Sequence, residues 1–361
     1  MKVSISQAIE REWKALFQLK KTERLWHIPV LASLCVGIPL LAGVYFDKLN
    51  YGIIASTGGL VILYLPGGTV ATRMITLIAC SFGFMVAMAI SLCFSFNPWM
   101  ASIALGCFAF AVHWVKMYFH MKPPGSFFFI MIASIGSCMK FDLSAIPTRV
   151  GLIGMGTMLA CILAFFYSLY ITRVYPPKPE TPVEPKKYMD VVESIIVGVF
   201  MVLSILVGHL LHLNFPYWLP ISCAAVMQGV SLQHVWQRSF HRILGTFVGL
   251  GFAWLLLQLH MTPLNICLSI LVLQFIIEVL VVRHYALAVI FITPLTLFLA
   301  EAGGSLIDSP NQLITLRFLD ITLGSLIGAL GGWVLYHEQL YYHASRQLRR
   351  TKYVLTRMRK K

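Results

Sequence analysis

The chain has 361 residues, 58% of them hydrophobic and only 12% charged, and its mean hydropathy is +0.79. A soluble domain normally carries about twice that charge, so an ordinary water-soluble fold is excluded. The net charge of +14 would point to nucleic acid on a soluble protein. Here the basic residues stand between apolar segments, where they set topology, and nucleic acid is not an expected partner.

In chain order, residues 1–27 form a polar N-terminal segment of mixed charge with no cleavage pattern of a signal peptide. Residues 28–171 hold six apolar segments: Ile28–Phe46, Gly52–Leu65, Met74–Phe94, Met100–Val115, Phe127–Cys138 and Val150–Tyr170. Residues 172–190 are a polar linker containing Pro176, Pro177, Pro179, Pro182 and Pro185, which reads as a semi-rigid spacer. Residues 191–336 hold six more segments: Val191–Leu213, Leu219–Val230, Ile243–Leu259, Leu264–Leu280, Tyr285–Ala300 and Phe318–Tyr336. A basic tail, 337–361, follows. It suits anionic headgroups as well as simple anchoring.

The two sets repeat. An offset of 165 carries Arg73 onto Arg238 and Asn97-Pro98 onto Thr262-Pro263. By the sixth segment the offset is 168, carrying Arg149 onto Arg317 and Gly156 onto Gly324. The extra residues are expected between 301 and 311. With six crossings per unit, the two units lie parallel, as in transporters with parallel repeats. If both termini are cytoplasmic, only Lys48, Lys140, Arg149 and Arg317 face outward, and the other 24 of 28 Lys and Arg face inward. The expected fold is therefore all-α: a polytopic membrane protein of about twelve transmembrane segments in two parallel six-helix repeats, with both termini in the cytoplasm.

Several features carry candidate chemistry. The second segment of each half and the fifth of the first half hold only about a dozen apolar residues. The eleventh contains Pro294, expected to break it. Short or interrupted segments at matching positions point to a transport site, and also suit tilted or re-entrant packing helices. Arg238, His241 and Arg242 stand at i, i+3, i+4 before the ninth segment and share a face. They suit capture of a carboxylate from the cytoplasm and equally a positive-inside anchor. Arg73 is the first-half partner of Arg238. Arg317 and Asp320 are three residues apart, so they suit a structural ion pair. Burial would equally prepare Asp320, or Glu278 near the end of the tenth segment, to carry protons. A solvated interfacial place suits Glu278 and Glu193 as well.

The histidine pairs His209/His212 and His113/His120 have no accompanying carboxylate or thiol in a ligand pattern, and no metal or other cofactor is expected. The eight cysteines lie in apolar runs and read as small buried hydrophobes. No nucleophile elbow, Walker loop or dinucleotide fingerprint occurs, so no catalytic residues are assigned.

The stretch Tyr217-Trp218-Leu219-Pro220, Gln228 and Arg238-x-x-x-Arg242-Ile-Leu-Gly245-Thr246-x-x-Gly249 resembles the fusaric acid resistance and aromatic acid exporter family. Arg317-x-x-Asp320-x-x-x-Gly324-x-x-x-Gly328 resembles its sixth-helix pattern, and Pro123 to Phe129 its first-half fifth segment. The first half lacks the Arg-x-x-Gly-Thr run, having Leu77 and Cys80-Ser81 in its place. The resemblance implies a bacterial inner-membrane exporter of aromatic or other organic acids, in a short form without the large soluble domain of many relatives. The substrate-binding candidates are Arg238, His241, Arg242, Arg73, Trp218 and Arg317, with Glu278 and Asp320 for proton coupling. Candidate partners are a small-molecule organic anion, the lipid bilayer, a second copy forming a homodimer, and a periplasmic adaptor protein. The alternatives are an anion channel of the same broad group, or a membrane scaffold or enzyme subunit without transport activity.

Overall fold

The computed structural model describes residues 25–175, 191–258, 262–301 and 310–337. The Pro-rich linker from 176, residues 302–309 and nearly all of both terminal segments lie outside the described residues. Every described regular element is helical. The first half forms α1 (His27–Tyr45), α2 (Leu49–Gly59) continued by a 3₁₀ segment (Leu60–Tyr64), α3 (Val70–Phe94), α4 (Pro98–Tyr118), α5 (Phe127–Ser137) and α6 (Ile146–Val174). The second forms α7 (Val191–Leu210), α8 (Trp218–Met227), α9 (Leu232–Leu257), α10 (Pro263–Leu280), α11 (Tyr285–Glu301) and α12 (Pro310–Tyr336).

Eight of these are long and apolar enough to cross a membrane: α1, α3, α4, α6, α7, α9, α10 and α12. The other four are shorter and equally apolar. An 11-residue helix such as α5 rises only about 16 Å, against an apolar bilayer core of roughly 30 Å.

On some helices the burial pattern is inverted relative to a soluble protein. Along α9, Ser239, Arg242 and Thr246 are buried, while Phe240, Leu244, Phe247, Val248 and Leu255 are exposed. Met155, Met158, Ile162, Phe165 and Phe166 are likewise exposed on α6. Apolar side chains outward and polar ones inward suit a hydrocarbon solvent. Cys93 and Cys107 also lie on the exposed surface, which corrects the expectation that all eight cysteines are buried; Cys35, Cys80, Cys223 and Cys267 are buried and Cys138 and Cys161 half-buried.

The chain packs as two compact units, each drawing helices from both halves. The first contains α1, α2, α6, α10, α11, the first part of α3, most of α9 and the start of α12. Within it α1 lies on α10. Ser33 Oγ–H donates to Leu271 O at 2.7 Å, and a Cβ on Gly37 would collide with Leu271. α2 packs on α6, where the Ala55 carbonyl leaves room only for Gly156.

The second unit contains α4, α5, α7, α8, the end of α3, the first turns of α9 and most of α12. Within it α7 lies on α4: a Cβ on Gly106 would collide with Val202, and one on Gly198 would stand 2.8 Å from Gly106 O. α8 packs on α12, where a Cβ on Gly324 would stand 2.6 Å from Leu219 O.

The helix ends are capped by their own sequence. α1 closes with Asp47 in the left-handed region (φ 52°) and Lys48 N–H donating to Gly43 O at 2.7 Å. α7 closes with His212 at φ 50° and Leu213 N–H donating to Gly208 O at 3.0 Å. This six-to-one bond is the Schellman arrangement, in which Asp and His tolerate the positive φ usually left to glycine. α4 and α10 both start after an oxygen-bearing cap with proline next: Asn97 accepts from Trp99 N–H and Met100 N–H, and Thr262 from Asn265 N–H.

Two expectations are corrected. The ninth and twelfth helices start at Leu232 and Pro310, not at Ile243 and Phe318. Arg238, His241, Arg242 and Arg317 therefore lie inside helices rather than at their entrances, because protein atoms, not solvent, surround these polar groups. Secondly, α11 runs unbroken through Pro294. Pro294 leaves the Ile290 carbonyl without its usual helical donor. The Thr293 and Thr296 hydroxyls bond back into the same turns, at 2.9 Å to Val289 O and 3.0 Å to Thr293 O, and the helix continues past the proline to Glu301.

Candidate functional site

The short helix α8 sets the first part of the site. Its last carbonyls have no helical donors and carry the negative end of the helix dipole. Arg238, from the second turn of α9, meets this need within the second unit. Its Nε–H donates to Ala225 O at 3.0 Å and its Nη2–H to Gln228 Oε1 at 3.2 Å. Gln228 in turn donates from Nε2 to Pro124 O at 3.1 Å, on the turn before α5. The Tyr336 hydroxyl closes the same turn by donating to Gly229 O at 2.6 Å. Arg238 thus holds a helix end. Trp218 is the first residue of α8, seven residues from Ala225 and so about 10 Å along the axis; the fold does not bring it beside Arg238.

One turn further along α9, in the first unit, a second cluster forms. Arg242 is only 6% exposed and its Nη1 lies 3.5 Å from the Tyr285 hydroxyl. The His241 ring stacks on His284 with centroids 6.1 Å apart. His284 caps α11, its Nδ1 accepting from Leu287 N–H at 3.3 Å. The α10–α11 hairpin that supplies His284 and Tyr285 also carries Glu278. Its carboxylate is buried at 4% exposure and accepts from Gln274 Nε2 at 3.3 Å. This burial overturns the interfacial reading of Glu278. Glu193 is also engaged: in the second unit its Oε1 meets His113 Nε2 at 3.1 Å.

Arg317 is the largest fully buried side chain of the protein's described residues, at 1% exposure, and Asp320 is equally buried one turn later on α12. Arg317 Nη2–H donates to Thr296 O at 3.0 Å, on the α11 stretch just past Pro294. Burying a guanidinium costs several kcal/mol unless carbonyls and carboxylates answer it. Arg73, in the first turn of α3, stands differently. Its Nε and Nη1 are buried and meet no hydrogen-bond acceptor among the described residues.

Sequence reasoning missed Tyr285, His284, Gln274, Thr296 and Tyr336, which complete these clusters. Tyr285, His284, Thr296 and Tyr336 meet their partners across a turn or a helix-helix contact, where residue spacing carries no signal; Gln274 stands four residues before Glu278 on α10, a spacing that could have found it.

Apolar outer faces, helices of membrane length and charged groups sealed inside define a multi-pass membrane protein of helical class. Residues 203–331 match the family described as "Fusaric acid resistance protein-like". The matching span, from within α7 into α12, is similar to that family and includes the motif around Arg242 and Gly245. A stretch of 124 residues, 34% of this chain, is 36% identical to "Uncharacterized membrane protein YvaC" of Bacillus subtilis (strain 168). The alignment covers 19% of that protein, so the chain spans about a fifth of the relative's length. No solved structure matches.

Proposed function

We propose that the protein is a bacterial inner-membrane transporter that exports aromatic or other organic acid anions, driven by an ion gradient. The observation that carries this reading is the burial of Arg242, Arg317, Asp320 and Glu278 inside a helical membrane protein with apolar outer faces. Ionisable groups at such depth are expensive, and they mark ion and substrate paths. In this reading an anion enters from the cytoplasm, meets Arg242 with His241 and Tyr285, and passes Arg317. Glu278 and Asp320 carry the coupled proton. Arg238 acts by holding the end of α8.

The same reading takes all twelve helices as two parallel repeats with both termini inside. Supporting this, the caps at Asp47 and His212 and those at Asn97 and Thr262 are each 165 residues apart. The contact of Gly37 with Leu271 has its image in that of Val202 with Gly106, each residue again shifted by 165. The Ala55–Gly156 and Leu219–Gly324 contacts form a third such pair, with offsets of 164 and 168. The 24 inward basic residues support the orientation. A homodimer and a periplasmic adaptor belong to this proposal as partners.

A strain deleted for the gene, challenged with a panel of organic acids, tests it. The reading expects lower growth on at least one aromatic or aliphatic acid, restored by the gene on a plasmid. Identical growth across the panel contradicts it.

A further inference from the structure

Repeat partners Arg238 and Arg73 have opposite fates. Arg238 spends its donors on the end of α8, at Ala225 O and Gln228, and Tyr336 closes the same turn at Gly229. In the first half the matching helix end is built differently: α2 gives way after Gly59 to a 3₁₀ segment that runs to Tyr64, with Leu65 N–H donating to Ile62 O at 3.0 Å. The position matching Tyr336, by the sixth-helix offset of 168, is Ser168, a side chain too short to reach across. Arg73 Nε and Nη1 and Ser168 Oγ are accordingly buried with no hydrogen-bond partner among the described residues. Ser168 is fully buried, and α6, which carries it, packs on the 3₁₀ segment.

Two further groups of the first unit gather at the same helix ends. The Tyr167 ring lies 6.3 Å from the ring of His27, the first residue of α1. The Arg73 guanidinium is within electrostatic reach of the Tyr167 phenol. His27 Nδ1 is also buried without a hydrogen-bond partner. The start of α1, the start of α3 and the last turns of α6 thus present a guanidinium with two unused N–H groups within electrostatic reach of a phenol, which in turn lies against an imidazole. Buried donors without acceptors are costly, and planar guanidinium donors match an oxyanion better than any other ligand.

We infer that Arg73, with His27 and Tyr167, forms a binding site for an oxyanion, in addition to the Arg242 cluster, and that the Arg238 turn, its donors spent on α8, forms none. The choice of a dissolved organic carboxylate rests on the transport reading above. The phosphate of an anionic lipid headgroup presents the same oxygen chemistry, and the experiment separates the two sources.

The full chain is placed in phosphatidylcholine nanodiscs and titrated with benzoate by calorimetry. Arg73→Gln is expected to weaken benzoate binding about tenfold or more, the loss of a charge-assisted hydrogen-bond pair. Its melting temperature stays that of the wild type, because no fold contact uses these donors. Arg73→Lys, which keeps the charge without the planar pair, is expected to fall between the two and covers the case in which the glutamine variant is poorly folded. Arg238→Gln is the contrast, losing melting temperature while keeping the benzoate affinity of whatever protein remains folded.

In a second arm, nanodiscs containing phosphatidylglycerol are analysed by native mass spectrometry for lipid retained by wild type and Arg73→Gln. Arg73-dependent retention without benzoate binding upholds the oxyanion site with a lipid as occupant and removes the organic-anion reading. Wild-type benzoate binding that Arg73→Gln leaves unchanged overturns the site and leaves the transport reading standing. Absence of both benzoate binding and Arg73-dependent lipid retention overturns the site, while the transport reading is judged by the wider panel of acids.

Discussion

Replacing Arg238 by glutamine tests whether this arginine acts as a helix cap. The wild-type side chain makes two charge-assisted hydrogen bonds, to Ala225 O and Gln228 Oε1, at the negative end of α8. A hydrogen bond to a charged group contributes about 1.5–3 kcal/mol, and a cation at a helix C-terminus about 0.3–1 kcal/mol. Arg238 is half-buried, so the lower ends apply, and the loss comes to about 3 kcal/mol. At about 1.4 kcal/mol per factor of ten, amides near the end of α8 should exchange roughly a hundredfold faster. Hydrogen-deuterium exchange of peptides covering residues 218–229 reads this opening directly. Arg238→Lys, able to reach one acceptor at a time, should show about half the effect. Unchanged exchange in Arg238→Gln would refute the capping role and return Arg238 to the ligand candidates.

Three further outcomes follow from the packing. Gly156→Ala should prevent stable assembly, because its Cβ has no room beside the Ala55 carbonyl, whereas Gly151→Ala, with open space around it, should leave the melting temperature unchanged; yield and melting temperature in detergent compare the two. Arg317→Ala should destabilise by about 3–5 kcal/mol, as expected for stripping one member from a buried charged set, seen as a lower melting temperature and loss of the Thr296 anchor. Glu278→Gln keeps a side chain able to bond Gln274 but removes the charge; it should preserve the fold and abolish the dependence of flux on a pH gradient, measured in proteoliposomes.

Hydropathy places every helix of the described residues, because a segment in hydrocarbon must be apolar along nearly its whole length. It also finds the short α2, α5 and α8, where Pro, Gly and polar groups end the apolar run. It misplaces the starts of α9 and α12 for one reason: it assigns Arg238, Arg242 and Arg317 to water, while the fold surrounds them with the Ala225 carbonyl, the Tyr285 hydroxyl and the Thr296 carbonyl. Pro294 misleads in the opposite direction. A proline in isolation reads as a break, but a single proline removes one hydrogen bond, and the helix runs on through it. The i, i+3, i+4 spacing correctly sets Arg238 and Arg242 on one helix, yet it cannot show that one ends on α8 and the other on α11. The fate of Arg73 is the least legible, since it depends on how the end of α2 is wound.

Whether this protein moves organic anions is decided by flux through the purified chain in liposomes. With benzoate inside and an imposed pH gradient, the account predicts release well above that of protein-free vesicles, strongly reduced by Arg242→Gln. Release equal to that of empty vesicles, across benzoate and a range of other aromatic and aliphatic acids and with the protein shown to be folded, would contradict it.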